Sequence, residues 1–463
     1  MKTTISGVRL CWLIPFWACF TGLPQVTFPG TLPLIFPGEG AAQMVGGSDR
    51  FLTRETVSSA SERQKYWQRD FSSAEAYDRS VRPNRERLQV IIGAGDARLP
   101  ETALEAPDST ASPAKIAETD AFTVQAVRWP VVEGVCAEGL WLQPKSTPTA
   151  SVVAIPDADQ TPEMLAGLAP GLAPERQFAR RLAENGCEVL VPVLIDWHDA
   201  CAWDARITRL SNQPRREWIS RQACPVGRHV IGYEVQKVLA AVDYFEGRRQ
   251  KAEGSSPKIG VVGYAEGGLI AFYAAALDRR IEAAVVSGGF DSRQRLREEL
   301  SCGHVFGLWR EFGDAEIASL IAPRTLIVEY SAMLNVEEPR VPRECWVGAA
   351  PGQLKTPDYE SVEAEFERAR ALLRPGKAKE FDRFRLITAA EGMTTGPGSD
   401  RALAALLDAL GVPVRNLKQP SPAPVDLRGA FYSGARQQRQ VKELEDYTQK
   451  LLREQARERA GSL

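Results

Sequence analysis

A chain of 463 residues can build one large domain with extensions or two ordinary ones, and 44% hydrophobic with 25% charged residues suits a globular protein with a full core. With 57 basic against 59 acidic side chains the formal net charge is −2, which argues against nucleic acid or an anionic membrane as the main partner. There is no basic patch interleaved with aromatics and no Cys-x-x-Cys at zinc spacing, so neither a structural metal nor a cofactor is expected.

Lys2 and Arg9 precede an apolar run over residues 10–20, and Gly38, Gly40, Ala41 and Ala42 offer small residues for cleavage. Residues 1–43 therefore read as an export leader, with a disordered start as the alternative. The run is too short, and too broken by Pro15, to cross a membrane. Removing it leaves six cysteines, of which Cys201 and Cys224 fall in one excursion and form the expected disulfide. Free buried thiols are the alternative.

Residues 44–118 are expected to form a polar helical arm and linker. A helix over 61–71 opens on Ser61 and places Tyr66, Trp67 and Phe71 on one face, and Pro83-Asn84 opens another. Residues 97–117 read as a surface linker.

From 119 to 414 the pattern alternates. Residues 122–129 and 139–143 read as antiparallel strands, 151–155 as a buried strand, 174–185 as a helix and 188–195 as another strand. A polar excursion over 196–228 carries His198, Cys201 and Cys224 and runs up to His229. Residues 230–245 are helical, 325–329 a strand, 361–373 a helix capped by Ser361, 384–388 a last strand and 400–410 a last helix. That order specifies an α/β fold whose mostly parallel sheet is covered by helices on both faces. Residues 415–463 add a linker and a charged helix over 437–459, with Val441, Leu444, Tyr447, Leu451 and Leu452 on one stripe. That stripe could face a protein partner or fold back on the body.

The centre of the chain is residues 258–289. A β-branched run, 259–262, meets Gly263, Gly267 and Gly268, then an Ala- and Leu-rich helix and a second apolar strand. Gly263-Tyr264-Ala265-Glu266-Gly267-Gly268 resembles the G-x-S-x-G-G nucleophile elbow, and the succession of elements over 122–410 resembles the α/β-hydrolase superfamily. The nearest branch is that of dienelactone hydrolases, acetyl xylan esterases and prolyl oligopeptidase-like enzymes. The resemblance implies a serine nucleophile, a histidine base, an acidic partner and two N–H groups for the oxyanion.

Ala265 stands at the nucleophile position, and the loop after the last strand, residues 389–398, holds Glu391 but no histidine. The implied oxyanion donors are the backbone of Glu266 and a residue near Asp157. The acid is sought among Glu329, Glu337 and Glu338. Substitutes for the missing groups are the Cys302–His304 pair and Ser287, each with a structural alternative as a buried pair or a turn cap.

Three functions follow: a non-catalytic or weakly active binder of a small ester, glycan or peptide; an active carboxyl-ester hydrolase using non-standard residues; or an interaction scaffold working through its terminal helices.

Overall fold

Along each central strand the side chains alternate between two cores. Val153 and Ile155, Ile259 and Val261, Ala284 and Val286, and Leu326 and Val328 enter one. Val152 and Ala154, Val262 and Tyr264, Ala283 and Val285, and Ile327 enter the other. This period of two, apolar on both sides, is what a helix-covered parallel sheet requires. The computed structural model describes residues 29–31, 38–100, 103–107, 115–198, 203–204, 209–210, 213–251, 257–293, 298–338, 349–375, 381–390, 392–412, 417–429 and 431–461.

The strands are β1 (Lys115–Glu118), β2 (Phe122–Val132), β3 (Val135–Pro144), β4 (Ala150–Ile155), β5 (Cys187–Pro192), β6 (Trp203–Asp204), β7 (Arg209–Leu210), β8 (Lys258–Tyr264), β9 (Ile281–Ser287), β10 (Thr325–Glu329), β11 (Val336–Glu338), β12 (Gly352–Leu354) and β13 (Phe384–Ile387). Nine of them form one sheet in the order β1-β2-β3-β5-β4-β8-β9-β10-β13, while β6–β7 and β11–β12 are small ribbons. The sheet is antiparallel through β1, β2, β3 and β5 and parallel from β5 to β13.

The helices are α1 (Gly40–Glu62), α2 (Ala74–Ile91), α3 (Pro162–Ala166), α4 (Phe178–Glu184), α5 (Arg215–Ala223), α6 (Val230–Lys251), α7 (Glu266–Leu277), α8 (Leu308–Glu311), α9 (Asp314–Ser319), α10 (Tyr359–Leu373), α11 (Asp400–Ala409) and α12 (Ser433–Gly461). Residues of α2, α6, α7, α9, α10 and α12 fill the first core, and those of α3, α4 and α11 the second. Thr56–Leu463 form one compact unit; Met1–Glu55 form another, whose helical part exposes Met44, Val45, Phe51 and Leu52.

Several boundaries differ from expectation. No helix opens at Ser61, which lies at the end of α1; a 3-10 turn, Arg63–Tyr66, follows, and then Trp67 turns extended and sets its indole edge-on to Phe312 at 5.5 Å. Pro83 lies inside α2, which begins after Ser73, whose hydroxyl accepts from the Ala76 N–H at 3.1 Å. The expected helix over 174–185 divides into a 3-10 turn, Pro174–Arg176, and α4. Helix α10 begins at Tyr359, so Ser361 lies in its first turn rather than capping it. The excursion after β5 contains α5, and in it Cys224 is a free, exposed thiol; Cys201 lies outside the described residues.

Helix α12 folds back on the body. Val441, Leu444 and Tyr447 join the first core, Tyr233 Oη meets Thr448 Oγ1 at 3.1 Å, and Trp218 Nε1 donates to Glu445 at 2.6 Å. Its apolar stripe is therefore largely covered by the chain's own residues.

Candidate active-site elbow

Ala265 takes φ 50° and ψ −114°, a region that costs a residue with a Cβ about 1–3 kcal/mol. Its N–H donates to the Ser287 carbonyl at 2.9 Å and its carbonyl accepts from Leu269 at 3.0 Å, so β9 and α7 fix it from both sides. The glycines make that turn possible. A Cβ on Gly263 would lie 1.9 Å from the Gly267 carbonyl oxygen. One on Gly267 would lie 2.2 Å from the Pro156 carbonyl oxygen and 2.4 Å from that of Ile155. No side chain fits at either place, and the helix runs directly over the end of β4.

The Glu266 N–H points toward the loop after β4, but Asp157 is already there. Asp157 Oδ1 accepts from the Glu266 N–H at 3.3 Å and from the Ala158 N–H at 2.8 Å. Two main-chain donors from separate elements thus converge on one carboxylate oxygen. The Asp157 N–H is turned instead to Gln160 Oε1 at 3.5 Å, so the second converging donor belongs to Ala158, one residue beyond the expected position. Asp157 is 3% exposed, and burial, followed by the charge of Glu266, pushes its carboxyl up to about 7 against the pull of the two N–H groups.

The Glu266 side chain leaves the elbow for Arg216 Nη2, 2.8 Å away. Arg216 also holds Glu234 through two bonds of 2.8 and 2.9 Å and donates to the Ile195 carbonyl at 2.9 Å. Burial alone lowers the pKa of Arg216, but Glu234 and Glu266 outweigh it and keep the guanidinium charged. For Glu266 burial raises the pKa and Arg216 opposes it. This triad fastens the excursion helix α5 to α6 and to the first turn of α7.

Glu329 closes β10 and is fully buried. It accepts from Ser287 Oγ at 2.6 Å, the Gly398 N–H at 2.8 Å and the Ser399 N–H at 2.9 Å. Ser287 Oγ also lies 2.7 Å from Ser331 Oγ, so its hydroxyl is spent within this cluster. Gly396, at φ 57°, passes so close that a Cβ there would stand 2.6 Å from the Glu329 carboxyl. Backbone of the loop after β13 thus packs directly against the Glu329 carboxyl. Glu391 lies outside the described residues. Glu337 and Glu338 belong to the β11–β12 ribbon.

The remaining candidates do not assemble into a catalytic pair. Cys302 is buried in a 3-10 turn, and burial, aided by the Glu266 charge, drives its thiol far up, while His304 is exposed two residues on. His229 is buried just before α6; its Nδ1 accepts from the Ile231 N–H at 3.2 Å. Burial, then the charges of Arg216 and His304, pushes it down to about 3. His198 is exposed. Among the described residues none of the three imidazoles lines the cavity beside Ala265, and no His, Cys, Asp and Glu group is arranged to hold a metal.

That cavity measures about 210 Å³ and is walled by Ala265, Leu269, Tyr273, Trp309, Met333 and Ser361. At its rim Asp291 accepts from the Ser292 N–H at 2.7 Å and from Ser361 Oγ, and the two serine hydroxyls lie 2.7 Å apart. Arg293, held at φ 58°, meets Glu299 at 3.3 Å and Asp314 at 3.3 Å. Sequence reasoning did not assemble this rim. Its members lie up to 70 residues apart.

Residues 138–304 match the model of the dienelactone hydrolase family. The chain is 31% identical over 112 residues to YtaP of Bacillus subtilis (strain 168), a protein that carries the name of a hydrolase. That overlap covers 23% of this chain and 36% of YtaP, so it spans about a third of that protein. Among solved structures, a Bacteroides fragilis protein named as an acetyl xylan esterase is 14% identical with a TM-score of 0.46, covering 76% of this chain and 87% of that one. A glucuronoyl esterase from Solibacter usitatus is 13% identical with a TM-score of 0.45, covering 74% and 94%. Over residues 138–304 the chain carries a dienelactone hydrolase family domain, set in an α/β-hydrolase fold.

Proposed function

We propose that this is an exported, non-hydrolytic member of the fold that binds a small ligand in the cavity beside the elbow. The observation that carries the reading is Ala265: a methyl group occupies the strained turn where acyl transfer needs a hydroxyl or thiol. The substitutes give it further support, because Ser287 is tied to Glu329 and Ser331 and the Cys302 thiol is buried and held protonated. Around the cavity Asp291, Glu299 and Asp358 outweigh Arg293 and Lys355, which favours a neutral or cationic ligand such as an ester, a glycan fragment or a short peptide. The scaffold alternative loses its main surface, since α12 buries its stripe against the body.

The test is hydrolysis of chromogenic acetyl and butyryl esters by the whole protein. Rates at the level of a heat-denatured control are expected. Turnover that a serine- or cysteine-directed reagent abolishes would overturn the reading in favour of an active esterase. For export, residues 1–43 fused to a reporter that works only outside the cytoplasm should give signal; the described residues contain no helix long and apolar enough to cross a membrane.

A further inference from the structure

We propose that Asp157 is an internal occupant of the oxyanion hole, an autoinhibitory contact separate from the missing nucleophile and base. Asp157 Oδ1 sits where the donors of Glu266 and Ala158 meet, at 3.3 and 2.8 Å, immediately beside the Ala265 turn. In acyl transfer those two N–H groups stabilise the negative oxygen that develops on the attacked carbonyl. Here they already face an oxygen, one anchored by its own main chain and 3% exposed. An ester carbonyl cannot use the donors until the carboxylate leaves. A nucleophile restored at position 265 would therefore still lack stabilisation of its intermediate. This goes beyond the proposed function, which concerns the missing nucleophile and the cavity.

The test installs a nucleophile that needs no histidine. Ala265→Cys supplies a thiol on the wall of the cavity, and the reactions are run at pH 8 to favour its thiolate. With p-nitrophenyl acetate its sulfur bonds to the acetyl carbon, the carbon–oxygen bond to p-nitrophenolate breaks and the leaving group departs with the electron pair. That single acylation passes through an oxyanion. Alkylation of the same thiol by iodoacetamide does not, so it reports thiolate availability alone. Both rates are read by mass spectrometry on the peptide 259–279, which separates this thiol from the native ones.

Adding Asp157→Ala to Ala265→Cys is expected to raise acylation about 100-fold more than alkylation, the scale of an oxyanion-hole donor. Adding Asp157→Asn instead should leave acylation within a few-fold of Ala265→Cys alone, because the amide oxygen still accepts from both N–H groups. Equal gains in acylation and alkylation would overturn the proposal, as would an Asn variant as fast as the Ala variant. Asp157→Gly replaces the Ala variant if near-UV circular dichroism shows the latter misfolded. Ester turnover by the unmodified protein would sink the proposed function and leave this comparison standing.

Discussion

Replacing Arg216 by methionine tests how the elbow is held to the excursion above it. The guanidinium is fully buried and bridges Glu234, also fully buried, to Glu266, at 2.8 Å on each side. Methionine keeps most of the aliphatic stem but leaves two carboxylates facing each other without a cation. Removing one partner from a buried ionic cluster costs about 3–5 kcal/mol, because the remaining charge is stranded in low dielectric. The loss should also depend on pH, with a definite sign. Burial already raises the Glu266 pKa and Arg216 lowers it, so removing Arg216 raises it further. A carboxyl whose pKa is higher in the fold than in the unfolded chain binds its proton more readily when folded. Its stabilising contribution is present at low pH and lost as pH rises through the folded pKa. The deficit of Arg216→Met should therefore be full at pH 8 and smaller at pH 5, as read by urea unfolding followed by tryptophan fluorescence. Adding Glu234→Gln and Glu266→Gln should recover part of it. A deficit under about 1 kcal/mol at pH 8, or one unchanged by pH, would refute the account of the triad as a buried clamp.

Gly267→Ala should cost about 3 kcal/mol in thermal or urea unfolding, since its Cβ would stand 2.2 Å from a main-chain oxygen that cannot swing away. Glu329→Gln should cost about 1–3 kcal/mol, measured the same way, because an amide NH₂ would then face the donors now satisfied by the carboxylate. Leu444→Ala should lower stability by about 2–5 kcal/mol, as for any fully buried leucine; a change near zero would mean that α12 does not pack on the body in solution. Asp157→Asn removes a carboxyl whose folded pKa is pushed up to about 7. The native fold loses stability as pH climbs from about 4 to that value, so unfolding free energies at pH 4.5 and 8 should shift in the Asn variant's favour at the higher pH.

The parallel sheet was legible because buried strands leave apolar runs, and the elbow because three glycines mark where backbone meets backbone. Helix α12 was legible as a helix, but a stripe such as Val441, Leu444 and Tyr447 is written identically whether it covers the chain's own core or a partner's. Local patterns misplaced several helix starts, Ser61 among them. Pro83 sits inside α2 because Ser73 had already capped the helix, and Ser361 turns to Asp291 instead of capping α10. Asp157 was singled out for its N–H, yet its carboxylate holds the place, and which way a side chain turns after a strand has no periodicity to betray it. The cavity rim joins Asp291 to Ser361 across 70 residues of chain, a proximity that follows from topology alone.

The strain at the Ala265 turn has a mechanical cause. Its dihedrals are imposed by what lies on either side: β8 paired between β4 and β9, and α7 running so close over Pro156 that Gly267 admits no side chain. Relaxing the turn would move α7 off the sheet and uncover residues such as Ile270, Ala271 and Ala274, which are almost completely excluded from solvent. At about 25 cal/mol per Å² of apolar surface, exposing even a few of them outweighs the 1–3 kcal/mol held in one residue. Glu329 is held for a similar reason, since it ties β9, β10 and the N-cap of α11 together through Ser287 and Ser399. Packing therefore suffices to hold both the turn at Ala265 and the buried Glu329 carboxylate in place, whatever side chain stands at the turn.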